Sequence, residues 1–322
     1  MLQTNNYLMS RMQQKKGRRF FLLSVSALFC VLALALAGCG STTQTSSGNS
    51  GSGTVLSVVA TEDVWGSIAA QLGGKHVSVI SIVHSPDVDP HDYASTSTDA
   101  RNIATANYVI LNGDGYDTWG TKLVDANPAQ GRLVLTVSNA LGVPSAPNPH
   151  FWESPTDVEK AADQITANLK SLDPADSAYF TQQRAAFEKA LQPYHTLIAE
   201  IQTKYANTPV GASELLFGYM AQALKLDLIT PPAYLTAENN GTEPPVSAVA
   251  EFNQQIAQKQ IKVFALDIQN ESNETRNLDA QVKAQHIPVV DITETINPSS
   301  STFEAWQTMQ LQQLLNALSQ AA

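Results

Sequence analysis

Four side chains able to hold a divalent cation stand at the end of an apolar run of the chain or in the loop beyond it. His91 lies in DPHDY, His150 in NPHFW, Glu214 in GASELLFGY and Glu294 in ITETI. Two imidazole nitrogens with two carboxylates form a donor set of intermediate hardness. It suits Zn²⁺, Mn²⁺ or Fe²⁺ rather than Cu(I), which prefers sulfur. Taken singly, each histidine reads first as a loop residue bonded to its own turn, and spacing alone leaves that reading open. The remaining histidines, His76, His84, His195 and His286, read as surface or helix-face residues with no role.

The elements that must position these residues follow an alternating pattern. Apolar runs at 55–60, 77–83, 108–113 and 132–137 read as strands, separated by amphipathic helical stretches at 63–74, 97–106 and 115–127. A long helical pattern follows from Thr156 to about Tyr205, interrupted near Asp173 and Pro174 and carrying Pro193. The alternation then resumes, with strands at 208–213, 226–230, 261–268 and 287–293 and a last helix at 303–320. Strands alternating with helices imply parallel sheets covered on both faces. The expected fold class is α/β, two Rossmann-like lobes with parallel sheets joined by one long α-helix. Ligands of such sheets bind beyond the carboxyl ends of the strands, so two facing lobes would put all four donors on one cleft. A helical connector is stiffer than a loop hinge and predicts modest closure.

The first 53 residues stand apart. Arg11, Lys15, Lys16, Arg18 and Arg19 precede the apolar run FFLLSVSALFCVLALALAG and then Cys39, the order of a secretory signal. The run is long enough to compete as a membrane-spanning helix. Cys30 falls inside it, so cleavage before Cys39 would leave a folded part without a disulfide framework or a thiolate metal site. Those five basic residues are the only charges before Cys39, so their removal from 19 leaves 14 basic against 29 acidic residues. That balance argues against nucleic acid and suits a cationic ligand. Residues 40–53, GSTTQTSSGNSGSG, are too polar to pack, and as a coil would reach about 20 Å. The expected organisation is a signal at 1–38, a lipidated Cys39 and tether at 39–53, an N-terminal lobe at 54–173, a linker helix at 174–206 and a C-terminal lobe at 207–322.

Taken together and in order, DPHDY, NPHFW followed by ESP, the long central helix, FGYMAQALKL, IPVVDITETI and the final WQTMQLQQLLNAL resemble one family. It is the cluster A-I, or TroA-like, substrate-binding lipoproteins of ABC importers of zinc and manganese. The resemblance runs from Val55 to the last helix. It implies that LAGC at 36–39 is a lipoprotein box with Cys39 as the lipid anchor, and that His91, His150, Glu214 and Glu294 are the metal ligands. Asp291 of VVDIT competes for the fourth position; it differs from 294 by an odd number, so a regular strand cannot turn both to one cleft. The implied cargo is one Zn²⁺ or Mn²⁺ ion. The implied partners are a permease and its ATPase, with the protein a monomer on the outer side of the cytoplasmic membrane. The family's zinc importers often carry a histidine-rich loop in the N-terminal lobe. Here 112–148 has no histidine and Glu214 stands where many have one, which leaves zinc and manganese both open.

Metal-bound imidazoles usually donate their other nitrogen to an oxygen, so Asp89, Asp92 or Glu62 is a candidate to orient His91. Asp63, Asp114, Asp117 and Asp267 read as helix caps or turn residues. Trp65, Trp119, Trp152 and Trp306 read as core or lobe-interface aromatics. Two other functions compete: a metal-dependent hydrolase, and a surface adhesin or organic-ligand receptor on the same scaffold. Ser213 lacks the glycine two residues on that a nucleophile elbow needs, since Leu215 stands there. NGDGYD lacks the third glycine of a dinucleotide fingerprint.

Overall fold

The computed structural model of the chain describes residues 55–88, 93–270 and 272–321. The signal, Cys39 and the tether lie outside these residues, as do Asp89, His91 and Asp92. The first lobe contains β1 (Leu56–Glu62), α1 (Asp63–Gly73), β2 (Val77–Val83), α2 (Ser97–Thr105), β3 (Tyr108–Leu111), α3 (Thr118–Ala126), β4 (Leu133–Thr136) and α4 (Val137–Leu141). Three helices follow: α5 (Pro155–Leu172), α6 (Ser177–Ala190) and α7 (Gln192–Tyr205). The second lobe contains β5 (Pro209–Ala212), α8 (Gly218–Ala223), β6 (Asp227–Leu228), α9 (Pro232–Asn239), α10 (Val246–Ala257), β7 (Phe264–Asp267), α11 (Asn273–Ala284), β8 (Val289–Ile292) and α12 (Phe303–Ala321).

All strand pairings are parallel, and both sheets repeat one order, β2-β1-β3-β4 and β6-β5-β7-β8. Apolar patterning explains which strands lie inside. Every residue of β3 is buried, and in β1 only Ser57 is partly exposed, as continuous apolar runs require when helices cover both faces. In the edge strand β2, Ser78 and Ile80 face outward on alternate positions. In each lobe the chain leaves its first strand toward one edge and returns beside it as the third. The winding therefore reverses between β1 and β3 and between β5 and β7, the place beyond the strand ends where sheets of this kind bind ligands.

The connector keeps a helical path but not one unbroken ladder. Pro193 has no N–H to donate to Lys189, and α6 and α7 meet at Leu191, whose backbone stays right-handed at φ −72° and ψ −10°. The bonds from Leu191 N to Phe187 O and from His195 N to Leu191 O, both 3.0 Å, carry the ladder past the joint. α12 then lies along α7 and β8. One apolar core runs from Leu56 through Ile165, Leu197 and Phe264 to Leu318, spanning both lobes and the connector. A smaller core, Val59, Val83, Ile103, Val109 and Leu111, fills the far side of the first sheet beneath α2 and α3. Trp65, Trp152 and Trp306 are fully buried, and Trp119 packs on Tyr93 with ring centroids 4.8 Å apart.

Among the described residues, all eight strands fall on the runs that read as strands. Two short helices, α4 and α9, do not follow from periodicity. α9 begins at a Pro-Pro step, where proline at the first helical position needs no N–H. α4 is only five residues long and stops at Gly142, whose φ of +76° ends a helix.

Candidate metal centre

His150 is held by its flanks before it is held by any ligand. Phe151 and Trp152, both fully buried, anchor the short turn Phe151–Glu153 in the main core. Asn148 sets the ring. Its Nδ2 donates to Leu215 O at 2.8 Å, which fixes the amide orientation because a carbonyl only accepts. Its Oδ1 therefore faces His150, taking the backbone N–H at 3.0 Å and lying 2.8 Å from Nδ1. Nδ1 must then carry the proton, and Nε2 presents a lone pair.

That lone pair faces two carboxylates from the other lobe. His150 Nε2 is 3.6 Å from Glu214 Oε1 and 3.3 Å from Glu294 Oε2. One donor atom from each of the three residues lies within 4.8 Å of the other two, and all three side chains are buried. Glu214 follows β5 in extended conformation, and Asn270 Nδ2 donates to its Oε2 at 3.0 Å. Glu294 stands two residues beyond β8. Tyr116 of the first lobe donates its hydroxyl to Glu294 Oε2 at 2.6 Å. Gln269 Oε1 accepts from the backbone N–H of Glu294 at 2.7 Å and of Thr295 at 3.0 Å.

Asp267, at the end of β7, is also fully buried and accepts the Gln269 N–H at 2.9 Å. Burial, with Glu294 and Glu214 nearby, pushes its carboxyl well above the ordinary range. The Tyr116 hydroxyl is pushed up by burial first and then by Glu294. Two carboxyl groups beside an imidazole, with a third behind them, are costly out of water, and a divalent cation relieves that cost.

The strand ends of the first lobe behave differently. Thr61 Oγ1 lies 2.7 Å from Asp117 Oδ2, 2.8 Å from Glu62 Oε2 and 3.0 Å from Ile110 O, yet a hydroxyl has one proton to donate. Burial, then Asp117, raises the Glu62 carboxyl well above its usual range, and burial raises Asp117, so a carboxylic acid proton completes the network. Asp117 also accepts the N–H of Asn112 and of Gly113, both at 2.8 Å, closing a turn in which Gly113 has φ +84°.

Asp291 is exposed in β8, away from this cluster. Ser213 Oγ accepts the Asp267 N–H at 2.9 Å and so ties β5 to β7. Asp117 and Asp267 have the turn roles their positions suggest. Asp63, at the start of α1, also reaches beyond its own helix: its Oδ2 accepts the Ile296 N–H at 3.0 Å from the opposite lobe. Asn148 and Tyr116 escape a reading based on strand ends. The Asn-x-His spacing of NPH was the one available signal, since an amide two residues before an imidazole can reach its Nδ1.

Residues 58–317 match the family described as zinc-uptake complex component A, periplasmic. The metal ABC transporter substrate-binding lipoprotein FimA of Streptococcus parasanguinis is 27% identical over 287 residues, covering 83% of this chain and 87% of the relative. The manganese-binding lipoprotein MntA of Halalkalibacterium halodurans is 25% identical over 238 residues, covering 70% and 76%. The periplasmic zinc-binding protein TroA of Treponema pallidum has the same fold, with a TM-score of 0.69 at 18% identity over 82% of this chain and 99% of that one.

Proposed function

Because the chain belongs to the zinc-uptake component A family, we propose that it captures one Zn²⁺ or Mn²⁺ ion outside the cytoplasm through His91, His150, Glu214 and Glu294. It hands that ion to an ABC permease driven by its ATPase. The family is one of transport receptors, not enzymes. The observation that carries the ligand assignment is the convergence of His150 Nε2 with Glu214 and Glu294 from the other lobe, all buried. His91, outside the described residues, is the fourth donor on the strength of DPHDY. Asp89 and Asp92 flank it and orient its ring, as metal-bound imidazoles require. Cys39 carries the lipid that keeps the receptor at the membrane, and the receptor works as a monomer.

Each residue has a definite task in holding the cargo. Asn148 keeps the proton of His150 on Nδ1, so Nε2 offers its lone pair to the ion. Asn270 donates to the Glu214 oxygen turned away from His150, and Tyr116 donates to the Glu294 oxygen that faces the imidazole, so both carboxylates are kept from rotating away. Loading requires neutral imidazoles and ionised carboxylates, so affinity falls as pH drops through the range where imidazole protonates. Elemental analysis of protein purified without added metal, with calorimetric titration of Zn²⁺ and Mn²⁺, tests the reading. Stoichiometric loading that disappears in His150→Ala supports it, and an unchanged His150→Ala titration sinks it.

A further inference from the structure

α1 presents one polar side chain per turn to the other lobe. Asp63, Ser67 and Gln71 are four residues apart, so they line one face of the helix. Asp63 Oδ2 accepts the Ile296 N–H at 3.0 Å, two residues past Glu294. Ser67 Oγ accepts the Phe303 N–H at 3.0 Å. Gln71 Nε2 donates to Glu304 Oε2 at 2.9 Å. The whole segment between Glu294 and α12 is thus tied down at both ends by a single helix of the first lobe.

These bonds satisfy groups that have few other options. Phe303 is the first residue of α12, and its N–H belongs to the opening turn that no intrahelical carbonyl reaches. Ser67 therefore caps α12 from another element. Ile296 is buried, so its N–H costs free energy if Asp63 is removed. The same two lobes also meet through Tyr116, beyond β3, whose hydroxyl donates to Glu294, and through Gln269, beyond β7, whose Nε2 donates to Val88 O at 3.0 Å.

We infer that α1 is a clasp: its polar row fixes the segment that follows Glu294 against the first lobe, and so sets how long the site retains its ion. Asp63, Ser67 and Gln71 are positioning residues that touch no cargo. The inference rests on the ligand assignment above, because it acts through Glu294. It places the adjustable element of the receptor in a strap beside the cleft, since the main core runs without a break through both lobes.

The test measures Zn²⁺ dissociation from the whole chain by stopped flow against a fluorescent chelator. Asp63→Ala is expected to dissociate about tenfold faster, the lower end for groups that orient ligands, with little change in association. Asp63→Asn, which keeps an acceptor oxygen, restores the wild-type rate, a rescue that general loosening of the fold would not show. Ser67→Ala gives a smaller acceleration, and hydrogen exchange at the Ile296 amide rises in Asp63→Ala only. Wild-type-like dissociation in both alanine variants, with faster Ile296 exchange in Asp63→Ala, overturns the clasp and leaves the ligand set standing. Retained binding in a parallel His150→Ala sample overturns the ligand set, and the clasp with it.

Discussion

The two lobes share one strand order and both carry buried carboxylates beyond strand ends, yet they use them in opposite ways. In the first lobe, Glu62 and Asp117 turn inward to Thr61, Asn112 and Gly113 and knit the ends of β1 and β3 together. In the second, Glu214 after β5 and Glu294 after β8 turn toward His150 across the cleft. The first lobe has seven-residue strands at β1 and β2, whereas β5 and β6 have four and two. The difference teaches that topology offers strand-end positions but not their use. A carboxylate met by a hydroxyl and two backbone amides becomes structure, whereas one met by an imidazole lone pair becomes a site.

The sharpest way to break this contrast is a matched pair of alanine substitutions. Glu294→Ala should lower metal affinity by at least about a hundredfold with the thermal midpoint unchanged or raised, because it removes a crowded buried carboxyl. Asp117→Ala should do the reverse. It strands two buried backbone amides and should cost about 2–3 kcal/mol of stability in urea unfolding, with metal affinity measured by calorimetry nearly intact. If Asp117→Ala abolishes binding in protein that remains folded, the division of labour between the lobes is wrong.

A smaller effect sharpens the same comparison at its boundary. Asn148→Ala frees the His150 ring without removing a ligand, so affinity should fall about tenfold by competition titration against a chelator.

The smallest expected effect concerns Glu153, which belongs to the first lobe's last turn but is bonded by Gln307 of α12 at 2.7 Å. Burial pushes its carboxyl up to about 8. A carboxyl whose value is raised on folding binds its proton more tightly in the native state. Its contribution is therefore full at acid pH and is lost as pH rises through about 8. Glu153→Gln keeps the acceptor and stays neutral. Melting curves from pH 5 to 9 should show no difference at the acid end and a variant more stable by about 1–2 kcal/mol at the alkaline end.

Most of the architecture was legible because parallel strands buried on both faces must be apolar runs, and each of the eight runs formed a strand. The helices missed, α4 and α9, are short and owe their ends to Gly142 and Pro232 rather than to periodicity. Glu214 and Glu294, which the structure brings beside His150, could be picked out because a strand end is a place in the sequence as well as in space, whereas His150, beyond α4, was legible from NPHFW. The partners that define them could not. Tyr116 and Glu294 are separated by 178 positions, and Asn270 and Glu214 by 56. Asp63 shows the same limit: an acidic residue at the start of a helix reads as a cap, and nothing in the sequence points to its further partner 233 residues away.

The bond from Ser67 to the first amide of α12 joins residues 236 apart, so the earliest helix of the first lobe and the final helix of the chain complete each other. The consequence is kinetic. Whichever end of the polypeptide appears first, α1 waits for the other end before its polar face has a partner, and contacts of such separation make for slow, late closure. A chain delivered across a membrane one end at a time would therefore remain open along this seam until translocation is nearly finished.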